Sequence, residues 1–239
     1  MAQTTYKDLL DAGTHFGHLT RKWDPKMAPY IFMEKNGIHI IDLNKTLVSL
    51  DYAATAIRNI AKSGRKIMFV ATKKQAQEIV TTEAERLKMP FVTDRWLGGM
   101  LTNFATVRKS LKKMATIDKM VKENTAYAAL AKREKLMMSR ERAKLDRVLG
   151  GIADLGRLPA ALFIVDVKRE HIAVKEAHKL GIPVFAMCDT NSNPELVQFP
   201  IPANDDASKS IQLIVVVIGK AIEDGLSERK VDKEDAERK

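Results

Sequence analysis

The feature that most restricts this chain is a repeated switch of hydrophobic period. Short apolar runs, Lys66–Ala71 (KIMFVA), Ala161–Asp166 (ALFIVD) and Ile182–Met187 (IPVFAM), alternate with stretches whose apolar residues recur every three or four positions. Continuous apolar runs suit strands buried on both faces, and strands alternating with amphipathic helices make a parallel sheet covered by helices. Phe91–Val92 and Gln198–Ile201 supply two shorter strands. Helices are predicted from an Asn44 cap to Gly64, from a Thr72 cap to Leu87, over Glu170–Leu180 and over Ala207–Asp224. Before them, Tyr30–Leu43 places two apolar runs around Asn36-Gly37, the signature of a tight β-hairpin. The reading is therefore an α/β fold with a central parallel sheet.

Residues 95–150 break this alternation. Val107, Leu111, Met114, Ile117 and Val121 form a narrow helical seam, and Leu136, Ala143, Leu145, Val148 and Leu149 face it from a second predicted helix. A turn at Asn124–Thr125 makes this an inserted antiparallel coiled-coil hairpin, each helix about 30 Å long. Charge collects here. The segment holds 14 basic and 5 acidic residues, whereas the remaining 183 residues hold 26 and 25, of a chain total of +10. The expected organisation is thus an α/β body over 1–94 and 151–226, a basic hairpin over 95–150, and a charged, disordered tail over 227–239.

A concentrated positive excess points to a polyanion. Arg108, Lys109, Lys112 and Lys113 share one helix face, and Arg133, Arg140, Lys144 and Arg147 extend along the second helix. Solvated helix faces usually mix their charges, and this one does not. The approach Thr93–Phe104 (TDRWLGGMLTNF) sets Arg95 and Trp96 beside a glycine pair, then Thr102 and Asn103. Arg and Trp can pair and stack with nucleotides, while a tight turn with Trp96 in the core explains the same residues. Near the start, His15 and His18 stand three apart, with Asp189, Asp205 and Asp206 as possible oxygen ligands for a divalent metal.

Catalytic signatures are missing. Gly98-Gly99 and Gly150-Gly151 are bare pairs, and no phosphate-binding glycine loop or nucleophile elbow is present. Cys188, the only cysteine, precludes an internal disulfide and reads as a core residue, while Asp166 with His171 is the one imaginable acid–base pair. No apolar run reaches the roughly 20 residues of a membrane span, and the first residues carry no secretory pattern. The expected location is the cytoplasm. Two other classes stay open: an α/β enzyme acting on a phosphorylated small molecule, and a coiled-coil scaffold that binds proteins alone.

Several segments in order resemble the bacterial small-subunit ribosomal protein S-two family. They are Leu9–Ile31, Arg95–Phe104 (RWLGGMLTNF), Leu149–Leu158 (LGGIADLGRL), Pro159–Pro183, Ala186–Pro194 (AMCDTNSNP) and Pro202–Asp206. The resemblance implies a flavodoxin-like three-layer domain with five parallel strands and a protruding helical hairpin. It further implies a structural, non-catalytic role in the small ribosomal subunit, with no required cofactor, no membrane and no small-molecule substrate. The partners implied are small-subunit ribosomal RNA and neighbouring ribosomal proteins, including the mRNA-binding protein S-one. Arg21, Lys22, Trp23, Lys26, Arg95, Trp96, Thr102 and Asn103 fall within the matched motifs and join the arm cations as candidate RNA contacts. His18, Asp189 and Asp205 fall there too, as candidate metal ligands. Asp24 stands where the family more often has Asn, and a carboxylate repels phosphate, so it is set aside. Ala71 similarly replaces a frequent Gly.

Overall fold

The computed structural model describes residues 4–123, 125–128 and 130–237. A short helix α1 (Tyr6–Asp11) leads into β1 (Phe16–Leu19), then into the hairpin β2 (Ile31–Lys35) and β3 (Ile38–Ile41). Asn36 and Gly37 both take positive φ, 54° and 73°, as the predicted tight turn requires. Strand β1 pairs antiparallel with β3, so the hairpin belongs to a small sheet of order β1-β3-β2.

Helix α2 (Leu43–Lys62) begins slightly earlier than expected. Asp42, not Asn44, is its cap, and the Asp42 carboxylate accepts the Asn44 N–H at 3.0 Å. There follow β4 (Ile67–Val70), α3 (Lys74–Arg86), β5 (Phe91–Val92), α4 (Phe104–Glu123), α5 (Thr125–Ala128) and α6 (Lys132–Leu149). The chain then returns through β6 (Ala161–Val165), α7 (His171–Lys179), β7 (Val184–Cys188), β8 (Phe199–Pro202) and α8 (Ser208–Glu237). The turn expected at Asn124–Thr125 includes Asn124, which lies outside the described residues; Thr125 opens α5.

Five strands form the parallel sheet, in the order β5-β4-β6-β7-β8. Counted along the sheet's own strands this is 2-1-3-4-5, the flavodoxin-like order. Period-two alternation sends Ile67, Phe69, Phe163, Val165, Phe185 and Met187 to one face, where α2, α3 and α8 cover them. The opposite face carries Met68, Val70, Leu162, Ile164, Val184, Ala186 and Cys188. It is closed by α7, by Met27, and by Trp96, Met100, Leu101 and Leu149 from the roots of the inserted helices. Cys188 is fully buried within it.

One expected boundary is overturned. The residues read as a disordered tail continue α8 without a break as far as Glu237. Glu228 pairs with Arg58, Lys62 reaches Glu228 at 3.7 Å and Asp232 at 3.0 Å, and Leu226 packs on the core. A mixed-charge composition, read as tail, is here one side of a charge ladder between two helices.

Candidate nucleic-acid interface

The inserted helices α4 and α6 lie side by side between β5 and β6. Their apolar seam closes only near the body. Leu111, Met114 and Ile117 are buried, with Val107, Leu145 and Val148 packed against the same core. Farther out, Val121 and Leu136 are about half exposed, at 46% and 50%, and Ala143 is exposed as well. The predicted seam is therefore correct at the root and wrong towards the far end; charged pairs flank its closed part. Lys113 pairs with Glu141, and Arg142 bridges Asp118 at 3.0 Å and Asp146 at 2.9 Å.

Those pairs consume most of the segment's acids. Arg108, Lys109 and Lys112 on α4, and Arg133, Arg140 and Lys144 on α6, are exposed and have no ion-pair partner among the described residues. Their field is thus uncompensated locally, which is what favours phosphate contact and release of condensed counterions. Arg147, by contrast, reaches back to Asp94 at 3.0 Å and fastens α6 to the loop after β5.

The approach loop departs from the nucleotide-stacking reading. Trp96 is only 6% exposed and its ring N–H donates to Glu176 at 3.1 Å, so this residue belongs to the core and cannot stack on a base. Thr102 gives both its backbone N–H (3.0 Å) and its hydroxyl (3.1 Å) to the same carboxylate. Asn103 accepts the Thr106 hydroxyl at 2.9 Å and steadies the first turn of α4. Thr102 and Asn103 are exposed but engaged in these bonds, whereas Arg95 is exposed and has no ion-pair partner among the described residues.

At the other candidate surface, Arg21 and Lys22 are exposed in a 3-10 turn over Thr20–Lys22. Trp23 follows, 39% exposed, with its ring 5.1 Å from that of His39. Lys26 is engaged by Glu195. The Asp24 carboxylate accepts the Lys26 N–H at 3.0 Å, and the Asp24 N–H donates to the Thr190 carbonyl at 2.8 Å, so this residue is occupied in shaping the turn.

The carboxyl edge of the parallel sheet gathers a third group. His18 lies 3.0 Å from Asp189 and 3.3 Å from Asp206. Lys73 reaches Asp205 and Asp206, both at 2.6 Å, and Asp166 at 3.7 Å. Asp205 is fully buried, and one of its oxygens has no hydrogen-bond partner among the described residues. Burial, reinforced by Asp189 and Asp166 and opposed by Lys73, pushes the Asp205 carboxyl up to about 7. The hydrogen bond that His18 makes to Asp189 raises the imidazole against the opposing effect of its burial. One ligand atom each from His18, Asp189 and Asp205 lie within 4.8 Å of one another, so the three predicted metal ligands do converge.

The imagined acid–base pair does not form. Asp166 accepts the Arg169 N–H at 3.0 Å and faces Lys73, whereas the His171 ring meets the Lys168 carbonyl at 3.3 Å. Thr72 is not a helix cap either: it donates its N–H at 2.9 Å, and its hydroxyl, to the buried Glu170. The sequence reading named Asp206 beside Asp189 and Asp205 but missed Lys73 and Glu176 as partners in these clusters. Lys73 has a visible signal, a lysine shortly past the end of a buried strand, whereas Glu176 sits on an amphipathic helix far in sequence from the loop it holds.

Comparison with known proteins agrees with this architecture. The family model described as ribosomal protein S2 matches residues 9–225. A small ribosomal subunit protein uS2 from Cytophaga hutchinsonii is 71% identical over 234 residues, covering 98% of this chain and 92% of the relative. Proteins of the same name from Parabacteroides distasonis and Flavobacterium psychrophilum are 60% and 62% identical, covering 99% and 95% of this chain and 85% of each relative. With a family match through most of its length and relatives of this identity, the chain belongs to the ribosomal protein S2 family.

Proposed function

We propose that this protein acts in the small ribosomal subunit by presenting a cationic arm from a near-neutral body to folded ribosomal RNA. Membership of the family makes it a structural component of the cytoplasmic ribosome, not an enzyme. The observation that carries the RNA reading is the row of exposed cations on α4 and α6, Arg108, Lys109, Lys112, Arg133, Arg140 and Lys144 among them, without ion-pair partners among the described residues. RNA duplexes have a major groove too narrow for side-chain readout, so such an arm recognises backbone geometry and phosphate position. Replacing Arg108, Lys109, Lys112 and Lys113 with Gln is expected to leave the circular dichroism spectrum unchanged and to weaken incorporation into small subunits. Undiminished incorporation of the folded variant overturns the arm's role.

The exposed Arg21–Trp23 turn and Arg95 extend the RNA-facing surface in this reading. Neighbouring ribosomal proteins, including the mRNA-binding protein S-one, are the protein partners. Their support is the family resemblance of the matched motifs.

A second reading concerns the sheet edge. His18, Asp189 and Asp205 are proposed to take a divalent cation. What supports this is the unpartnered oxygen of the fully buried Asp205, beside an imidazole and a second carboxylate. A nitrogen and two oxygen donors suit zinc better than magnesium. Dialysis of the full chain against zinc, followed by metal analysis, is expected to give about one equivalent, absent from Asp205→Asn. Equal zinc content in the variant and the parent refutes the site.

A further inference from the structure

The loop between β5 and α4 is held by one side chain of a different element. Glu176, on α7, is largely buried, and its two oxygens divide five donors between them. One oxygen accepts the Trp96 ring N–H at 3.1 Å and the Gly99 N–H at 2.8 Å. The other accepts the Leu101 N–H at 2.9 Å, the Thr102 N–H at 3.0 Å and the Thr102 hydroxyl at 3.1 Å. An ionised carboxylate is acceptor-only on both oxygens, so it alone among side chains of this size satisfies such a set. Burial alone would raise the Glu176 carboxyl. The bonds from Thr102, Trp96, Leu101 and Gly99 outweigh it and hold the group below the usual carboxylate range.

The position of this carboxylate matters more than its strength. Helix α4 starts at Phe104, two residues beyond Thr102, so the bonds to α7 fix where the helix leaves the body. Met100 and Leu101, both buried, fill the space beneath the same loop. The arm is a lever. A tilt of about 10° at its root moves the end of a helix about 30 Å long by about 5 Å, beyond hydrogen-bond reach of a fixed phosphate.

We propose that Glu176 is a positioning residue for RNA recognition: it touches no RNA, but clamps the root of the arm so that the α4 and α6 cations meet a defined phosphate geometry. This rests on the proposal that the arm binds RNA. It assigns the RWLGGMLTN motif to arm orientation, with Trp96, Gly99, Leu101 and Thr102 as donors to the clamp. Without the clamp the cations remain, and only their placement changes. Charge attraction to any RNA should then survive while recognition of the folded small-subunit RNA falls. If the correctly oriented fraction drops to about a tenth, apparent affinity weakens about tenfold.

The test uses the full-length protein with Glu176→Gln, which keeps the size of the side chain but turns one oxygen into a donor facing N–H groups. Three quantities are measured. They are hydrogen exchange at Gly99, Leu101 and Thr102, affinity for small-subunit ribosomal RNA, and affinity for an unstructured RNA of equal length. Faster exchange, about tenfold weaker binding to the folded RNA and unchanged binding to the unstructured RNA are expected. Thr102→Val, which removes one hydroxyl donor and leaves the carboxylate, is expected to show the same pattern at smaller amplitude and decides the matter should the Gln variant not fold. Unaltered affinity for the folded RNA despite faster exchange overturns the clamp, and so does an equal loss for both RNAs. A parallel variant with Arg108, Lys109 and Lys112 changed to Gln separates the two claims. If it binds both RNAs like the parent, the RNA reading fails, whereas the exchange rates still report on the clamp.

Discussion

Gly17 shows how much a single missing side chain can hold in place. It lies within β1, and a Cβ there would stand 2.5 Å from the Thr190 methyl and 2.9 Å from the His39 carbonyl. Thr190 in turn accepts the His18 N–H at 2.8 Å and donates its own N–H and hydroxyl to Asp189. The small sheet therefore sits on the carboxyl edge of the large one through a contact that tolerates no side chain, and this contact delivers His18 to Asp189. Gly17→Ala is expected to cost about 1–3 kcal/mol, as overpacking typically does. The control is Gly98→Ala, where an added Cβ meets nothing within 4 Å. Urea unfolding of the two variants checks this, and equal midpoints count against the close-approach argument.

At the scale of elements, what is legible in the sequence follows from local periodicity. The strands β4, β6 and β7 are continuous apolar runs because both their faces are covered, and that pattern belongs to each run by itself. The Asn36-Gly37 turn is equally local. Strand β1 is not legible, since Phe16–Leu19 contains a glycine and has its partner β3 only after the intervening hairpin strand. Glu176 is hidden for a stronger reason: its donors lie 74 to 80 residues away in sequence, and nothing in the helix it occupies marks it out. The helical continuation over residues 227–237 reads as tail because its stability comes from Arg58 and Lys62 on α2. Trp96 has two readings from sequence, and only tertiary packing chooses the core. The converging His18, Asp189 and Asp205 can be named as residue types near strand ends, but the burial of Asp205 cannot.

For the whole molecule the decisive quantity is where charge remains uncompensated. Outside residues 95–150 the 26 basic and 25 acidic residues nearly cancel, and many pair, as in the α2–α8 ladder and the Arg86–Glu223 contact at 2.7 Å. Apart from the Arg21–Trp23 turn, a body of this kind contributes little to binding a polyanion, so the salt dependence of RNA binding should belong chiefly to the arm. Removing one phosphate contact reduces the slope of log K against log salt by roughly 0.7–0.9. Changing Arg108, Lys109 and Lys112 to Gln is thus expected to reduce the slope by about 2 to 3 if each meets a phosphate. The same change at three exposed body cations, Lys7, Lys35 and Arg65, should leave it nearly constant. Net charge falls equally in the two variants, so a difference between their slopes isolates position from total charge. Were both slopes to fall alike, the protein would be binding RNA through its overall field, and the arm would have no special claim to the contact.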